Sequence, residues 1–156
     1  MRKFAQCVAC LTLVLWSTGV LAAELDEATK KRHQAFEKAL SGATLVGNFT
    51  IDGKDAPAKE ERYDIKKVTW LDIDDLWRFD VHMKYGDVDR EFAVAVPVKW
   101  AGDTPIISLT KTTIPGMGSF SAKVVIDGDR YAGTWDHHGA GGGHMFGRIE
   151  KAEAEE

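Results

Sequence analysis

Three of the chain's five histidines crowd into one short stretch, Asp136-His137-His138 and His144, with Gly139-Ala140-Gly141-Gly142-Gly143 between them. Imidazole nitrogens joined by a carboxylate are donors that zinc or copper accepts, so Asp136, His137, His138 and His144 form a candidate metal set. The spacing matches no established metal motif. Metal ligands are usually held on rigid elements by supporting hydrogen bonds, which a glycine-rich connector does not supply. The plainer reading is therefore a mobile hairpin loop carrying exposed histidines. The same glycines make a poor phosphate cradle, because no Lys-Ser or Lys-Thr follows them.

A second candidate set is apolar. Trp77, Phe79, Met83, Tyr85, Phe92 and Trp100 recur on one face of two alternating stretches, and Trp135 joins them from a third. Side chains of this size either meet at the centre of a small barrel and fill it, or stand against the wall and leave a pocket with Tyr85 and Arg90 as polar handles. The filled arrangement is the expectation.

Two weaker sets complete the inventory. Asp80 and His82 are two apart and so share a strand face, where an acid and a base could cooperate. No nucleophile accompanies them, and with Arg78 and Lys84 they read more simply as a solvated wall. Asp72-Ile73-Asp74-Asp75 lacks the further ligands and the glycine of a calcium loop. Asn48-Phe49-Thr50 fits the glycosylation acceptor pattern, which matters only in a host with that machinery.

The elements that must position these residues follow from periodicity. Glu24 to Leu40, within a segment 23–42, reads as a helix with a thin apolar stripe through Leu25, Ala28, Arg32, Phe36, Ala39 and Leu40. It should pack loosely, with His33 on the solvated side and Gly42 as a left-handed stop. From residue 43 to 150 the period changes to two. Strands are expected around Leu45–Ile51, Arg62–Trp70, Trp77–Tyr85, Val88–Trp100, Ile106–Ile114, Phe120–Ile126, Tyr131–Trp135 and Met145–Ile149. Gly86-Asp87 and Asp127-Gly128-Asp129 mark tight turns. Lys66-Lys67 blurs the second strand, and Pro97 must lie at an edge, at a bulge, or where its nitrogen faces no partner. Gly133 and Gly147, inside strands, mark a bend, a bulge or a ring lying flat across them, with Tyr131, Trp135 or Phe146 as that ring. Curvature is the simplest of these explanations.

Eight alternating strands joined mostly by short turns define the expected fold class: all-β with one N-terminal helix, an eight-stranded antiparallel up-and-down barrel. A two-sheet β-sandwich fits the same pattern. The helix would cover one mouth or lie on the wall.

The N-terminus bounds the compartment. Met1-Arg2-Lys3 precedes an uncharged, largely apolar run to Leu21, and Ala22-Ala23 offers small residues for cleavage, so residues 1–22 read as a signal peptide. The protein is then secreted or periplasmic, with no membrane span after cleavage. Cys7 and Cys10 leave with the leader, so neither a disulfide nor a thiolate site is expected in the mature chain. Loss of Arg2 and Lys3 takes the formal net charge from −4 to −6. No basic cluster is interleaved with aromatics, which argues against a nucleic-acid partner. Residues 151–156 read as a frayed acidic tail.

With Gly47-Asn48-Phe49 near the first strand and Gly133-Thr134-Trp135 in the penultimate one, the chain resembles calycin-type barrels, the lipocalin, fatty-acid-binding and avidin-like proteins. Residues 43 to 150 also resemble a group of small secreted proteins of unknown function from planctomycete-type bacteria, through Lys99-Trp100-Ala101-Gly102-Asp103-Thr104-Pro105, Thr113-Ile114-Pro115-Gly116 and Tyr131-Ala132-Gly133-Thr134-Trp135. The first resemblance implies a barrel that binds in its interior; the second implies no activity. The leading expectation is a non-catalytic binding protein for a small apolar molecule or another exported protein. The alternative is a metal-binding protein, or a zinc- or copper-dependent enzyme, using the histidines of the last hairpin.

Overall fold

The computed structural model describes residues 26–151; the expected signal peptide, both cysteines and the residues after Lys151 lie outside the described residues. One helix, α1 (Glu27–Leu40), precedes eight strands: β1 (Ala43–Phe49), β2 (Lys59–Trp70), β3 (Leu76–Tyr85), β4 (Val88–Ala101), β5 (Thr104–Ile114), β6 (Gly118–Asp127), β7 (Arg130–His137) and β8 (Gly141–Lys151). Each strand pairs antiparallel with the next, and β8 returns to β1, closing an up-and-down barrel. Every strand has a paired neighbour on both sides, and the sandwich alternative does not apply.

The helix begins where Asp26 accepts a hydrogen bond from the Thr29 backbone N–H at 2.9 Å, and it ends at Gly42, whose φ of +71° suits a residue without Cβ. It is not loosely docked. Phe36 and Leu40 are buried, and the Lys151 ammonium on β8 donates to the carbonyls of Lys38 and Ser41 at the helix C-terminus. Lys151 therefore closes the last strand and does not open a frayed tail.

α1 seals one end of the barrel. His33, expected on the surface, lies among Trp70, Trp77 and Trp100, with ring centroids 4.9, 4.9 and 6.0 Å away. Phe36 meets Trp77 and Trp100 edge-on, and the Arg32 guanidinium sits 4.7 Å over the Trp100 ring. Burial and the adjacent Arg32 charge hold the His33 imidazole below its ordinary pKa. The stripe looked thin because Arg32 and His33, polar by type, belong to it.

Three irregularities have local causes. Lys66 is the extra residue of a bulge between Ile65 and Lys67, which is why the alternation of β2 blurs there. The β4–β5 ladder covers only Val98–Ala101 against Thr104–Ile107. The Val98 N–H donates to the Asp75 carbonyl on the β3 side, so alternation aims the nitrogen of Pro97 at β5, where it has no proton to give. In β5 a second register slip falls between Leu109 and Thr112, with Lys111 at φ +49°.

Candidate functional site

The strands with alternating apolar residues turn those residues inward, but they do not fill the barrel. A cavity of about 560 Å³ opens at the end away from α1. Phe79, Met83, Tyr85, Phe92 and Trp135 of the expected ligand set line it, together with aliphatic side chains such as Ile65, Val94 and Leu109. Trp77 and Trp100 do not. They belong to the plug beneath α1, and that is where the filled packing expected for the whole interior is found. The chain reverses direction at every turn, so large residues near one end of β3 and β4 meet the helix while those further along face open space. Arg90 stands at the rim and donates to the Gly116 carbonyl at 3.2 Å, bridging β4 to the β5–β6 turn above the unpaired part of the seam.

The polar centre of the cavity is a residue that sequence reading missed. Glu61 is 4% exposed and is the one buried charged side chain among the described residues. Its carboxylate accepts from the Tyr63 hydroxyl at 2.8 Å and from the Tyr131 hydroxyl at 2.9 Å. No cation pairs with it among the described residues. Burial pushes the Glu61 carboxyl above its ordinary pKa, opposed by the two tyrosine hydrogen bonds. Burial and the Glu61 charge push both phenols upward in turn. The phenols thus keep their protons and direct them at Glu61.

The reach of Tyr131 explains two of the in-strand glycines. Tyr131 on β7, Gly147 on β8, Gly47 on β1 and Glu61 on β2 are successive register partners across the wall. Three inter-strand spacings of about 4.8 Å separate the ends of this row, so the phenol must lie along the wall to reach the carboxylate. A Cβ on Gly147 would come within 2.8 Å of the Tyr131 ring, and one on Gly47 would overlap the Tyr131 hydroxyl, while both would also overlap a neighbouring backbone carbonyl, of Val46 and Phe146 respectively. The ring expected over an in-strand glycine is therefore Tyr131, and the two glycines make its bed. At Gly133 the close neighbour is the Lys123 carbonyl of β6, a backbone approach.

The histidines of the last hairpin diverge. Gly141 to Gly143 are the first residues of β8, so the connector is a short turn at His138–Ala140 rather than a five-glycine-like loop. His137 faces the cavity mouth and stacks on Phe120 at 4.3 Å. His144 points outward, 4.0 Å from Asp52. His138 lies outside the wall, with Nδ1 3.1 Å from Asp136 and Nε2 2.8 Å from the Ser121 hydroxyl. Among the described residues no group of three or more metal-ligating side chains converges. Strand alternation separates what looked like one set.

Asp136, His138 and Ser121 do line up in the order of a nucleophilic relay. Ser121 Oγ, however, also accepts the Lys111 backbone N–H at 2.9 Å. That amide lost its ladder partner at the β5 slip, and the chain of three side chains pins the irregularity. The Asp80–His82 pair weighed as an alternative does not form, and the stripe is the solvated wall expected. Asp80 is held by Arg78 at 2.8 Å, while His82 Nε2 lies 2.6 Å from Asp89 and Nδ1 lies 3.4 Å from Asp64. The Asp89 hydrogen bond raises the His82 pKa.

No protein family, curated protein or solved structure matches this chain. The closed eight-stranded barrel is consistent with the architecture that the calycin resemblance implies, and no family relation accompanies it.

Proposed function

We propose that the protein carries a small apolar molecule inside its barrel, as an exported binding protein without catalysis of its own. The observation that supports this is the cavity of about 560 Å³, which is open at one end, sealed at the other and lined mainly by apolar side chains. Its volume falls within the range of about 300–1,000 Å³ usual for small-molecule pockets. An eight-stranded barrel is about the smallest that holds one such ligand.

The test is thermal. Uncharged aromatic and aliphatic probes added to the purified protein should raise its melting temperature in a saturable way, since a ligand bound only by the folded state stabilises it by mass action. Trp135 fluorescence should respond in parallel, because that indole lines the cavity. A panel that changes neither signal overturns the reading.

A further inference from the structure

On the reading that the cavity carries a small apolar molecule, we propose that its ligand is an apolar amine whose protonated head docks on the Glu61 carboxylate. The argument is an inventory of donors and acceptors. An ionised carboxylate offers about four lone-pair sites and no proton. Tyr63 and Tyr131 take one site on each oxygen, at 2.8 and 2.9 Å. Their own protons are spent on Glu61, so what the phenols can still offer is their oxygen lone pairs. The cluster therefore presents acceptors to the cavity and withholds donors.

A ligand head that completes it must donate. An ammonium brings three donors and one positive charge to a carboxylate that no side-chain cation neutralises among the described residues. A hydroxyl brings one donor and no charge. A carboxylate head brings lone pairs to lone pairs and negative to negative charge. The rest of the lining, including Ile65, Phe79, Val81 and Met83, suits the hydrocarbon part of such a ligand. Removing an ammonium from water is costly unless a paired, hydrogen-bonded charge receives it. Glu61 is the buried group in the cavity that can do so.

Other titratable groups bear on the site. Tyr63 lies on the same strand, Tyr131 reaches in from β7, and Tyr85 on β3 is the register partner of Glu61. Lys59, Asp87 and His137 line the same cavity.

The experiment uses four probes built on one naphthalene ring, with aminomethyl, hydroxymethyl, carboxylate or bare methyl heads, titrated calorimetrically into the purified protein. The amine should bind about tenfold or more tightly than the alcohol, and the carboxylate most weakly. Glu61→Gln should abolish the amine's advantage while leaving the methyl compound within about twofold. Equal affinity of amine and alcohol, or a preference that survives Glu61→Gln, overturns the proposal and leaves carriage standing. Failure of all four probes, the methyl compound included, overturns carriage itself. If Glu61→Gln does not fold, the wild-type protein supplies the test. Acidification through the Glu61 titration should weaken the amine progressively and leave the methyl compound flat, both in wild type and in His137→Gln, which removes the imidazole at the mouth. A flat amine series overturns the proposal.

Discussion

At one end of the barrel Trp77 is wholly buried, with Phe36 and His33 pressed against it from α1; at the other, Phe120 and His137 stack on each other beside an open cavity. The same strands supply both ends. What differs is whether an element from outside the sheet arrives to cover the apolar face. The helix spends its buried stripe on one mouth, and each strand's remaining inward residues are left to line space. A sealed floor and an open mouth make a cup and not a through-channel. The buried polar atoms divide in the same way. Arg32 Nε, His33 Nδ1 and Trp77 Nε1 have no hydrogen-bond partner among the described residues and all lie at the plug, whereas Glu61 in the cavity wall is doubly bonded.

The contrast can be broken most directly by truncation. Trp77→Ala should cost about 3–5 kcal/mol in urea unfolding, because it opens a cavity directly beneath Phe36 and His33 of the helix. Phe120→Ala, at the half-buried mouth, should cost much less. Equal losses would mean that the mouth is packed as tightly as the plug. Next in size is Gly47→Ala. The added methyl meets the Tyr131 hydroxyl and the Phe146 carbonyl, and a forced fit of this kind costs about 1–3 kcal/mol. Its signature is specific. The Tyr131–Glu61 bond should be lost with the fold retained, visible as a change in tyrosine near-ultraviolet dichroism.

Glu61 gives a smaller effect whose sign is fixed. Its folded pKa is raised above the ordinary 4.5, so the folded state keeps this proton to higher pH than the unfolded chain does. Stability from this group is present below about pH 4.5 and falls as pH rises through the folded value. Subtracting the pH–stability curve of Glu61→Gln from that of wild type should expose this decline, since carboxylates shifted the other way, such as Asp26 and Asp89, are common to both. A difference curve that rises with pH would show that the tyrosine hydrogen bonds outweigh burial.

Much of the barrel was legible because period-two alternation in Trp77–Tyr85 and Val88–Trp100 is a local consequence of burying one face, and Asp127-Gly128-Asp129 carries its turn in its own backbone preferences. Pro97 was legible as a break in pairing for the same reason. Glu61 was not, because Lys59-Glu60-Glu61-Arg62 reads as the polar end of a loop. The available signal was parity: Glu61 shares a face with Tyr63 and Ile65, and its inward position follows once the bulge at Lys66 is counted out. Of the two places expected for the helix, mouth or wall, it takes the mouth, but its packing there was not legible because His33 reads as solvated until three tryptophans from separate strands surround it. That juxtaposition is tertiary and has no local sequence mark.

The least effect belongs to the histidines of the last hairpin, and it tests whether the mouth holds a second site. His137 faces the cavity, His144 the solvent on the opposite side of β8, and His138 is tied to Asp136 and Ser121. Bringing His137 and His144 to one ion would require one of β7 and β8 to slip by a residue against the other, and such a slip turns all the inward side chains of that strand outward, Trp135 on β7 or Met145 on β8 among them. The burial of that apolar surface opposes the slip by several times the energy of a weak surface metal contact. His144→Ala should therefore change stability by no more than about 0.5 kcal/mol, and added zinc should leave the melting temperature of wild type and variant alike unmoved. A zinc-dependent rise lost in His144→Ala would show that the hairpin register is held less firmly than the plugged end, and would bring the two ends of the barrel closer in kind than their packing suggests.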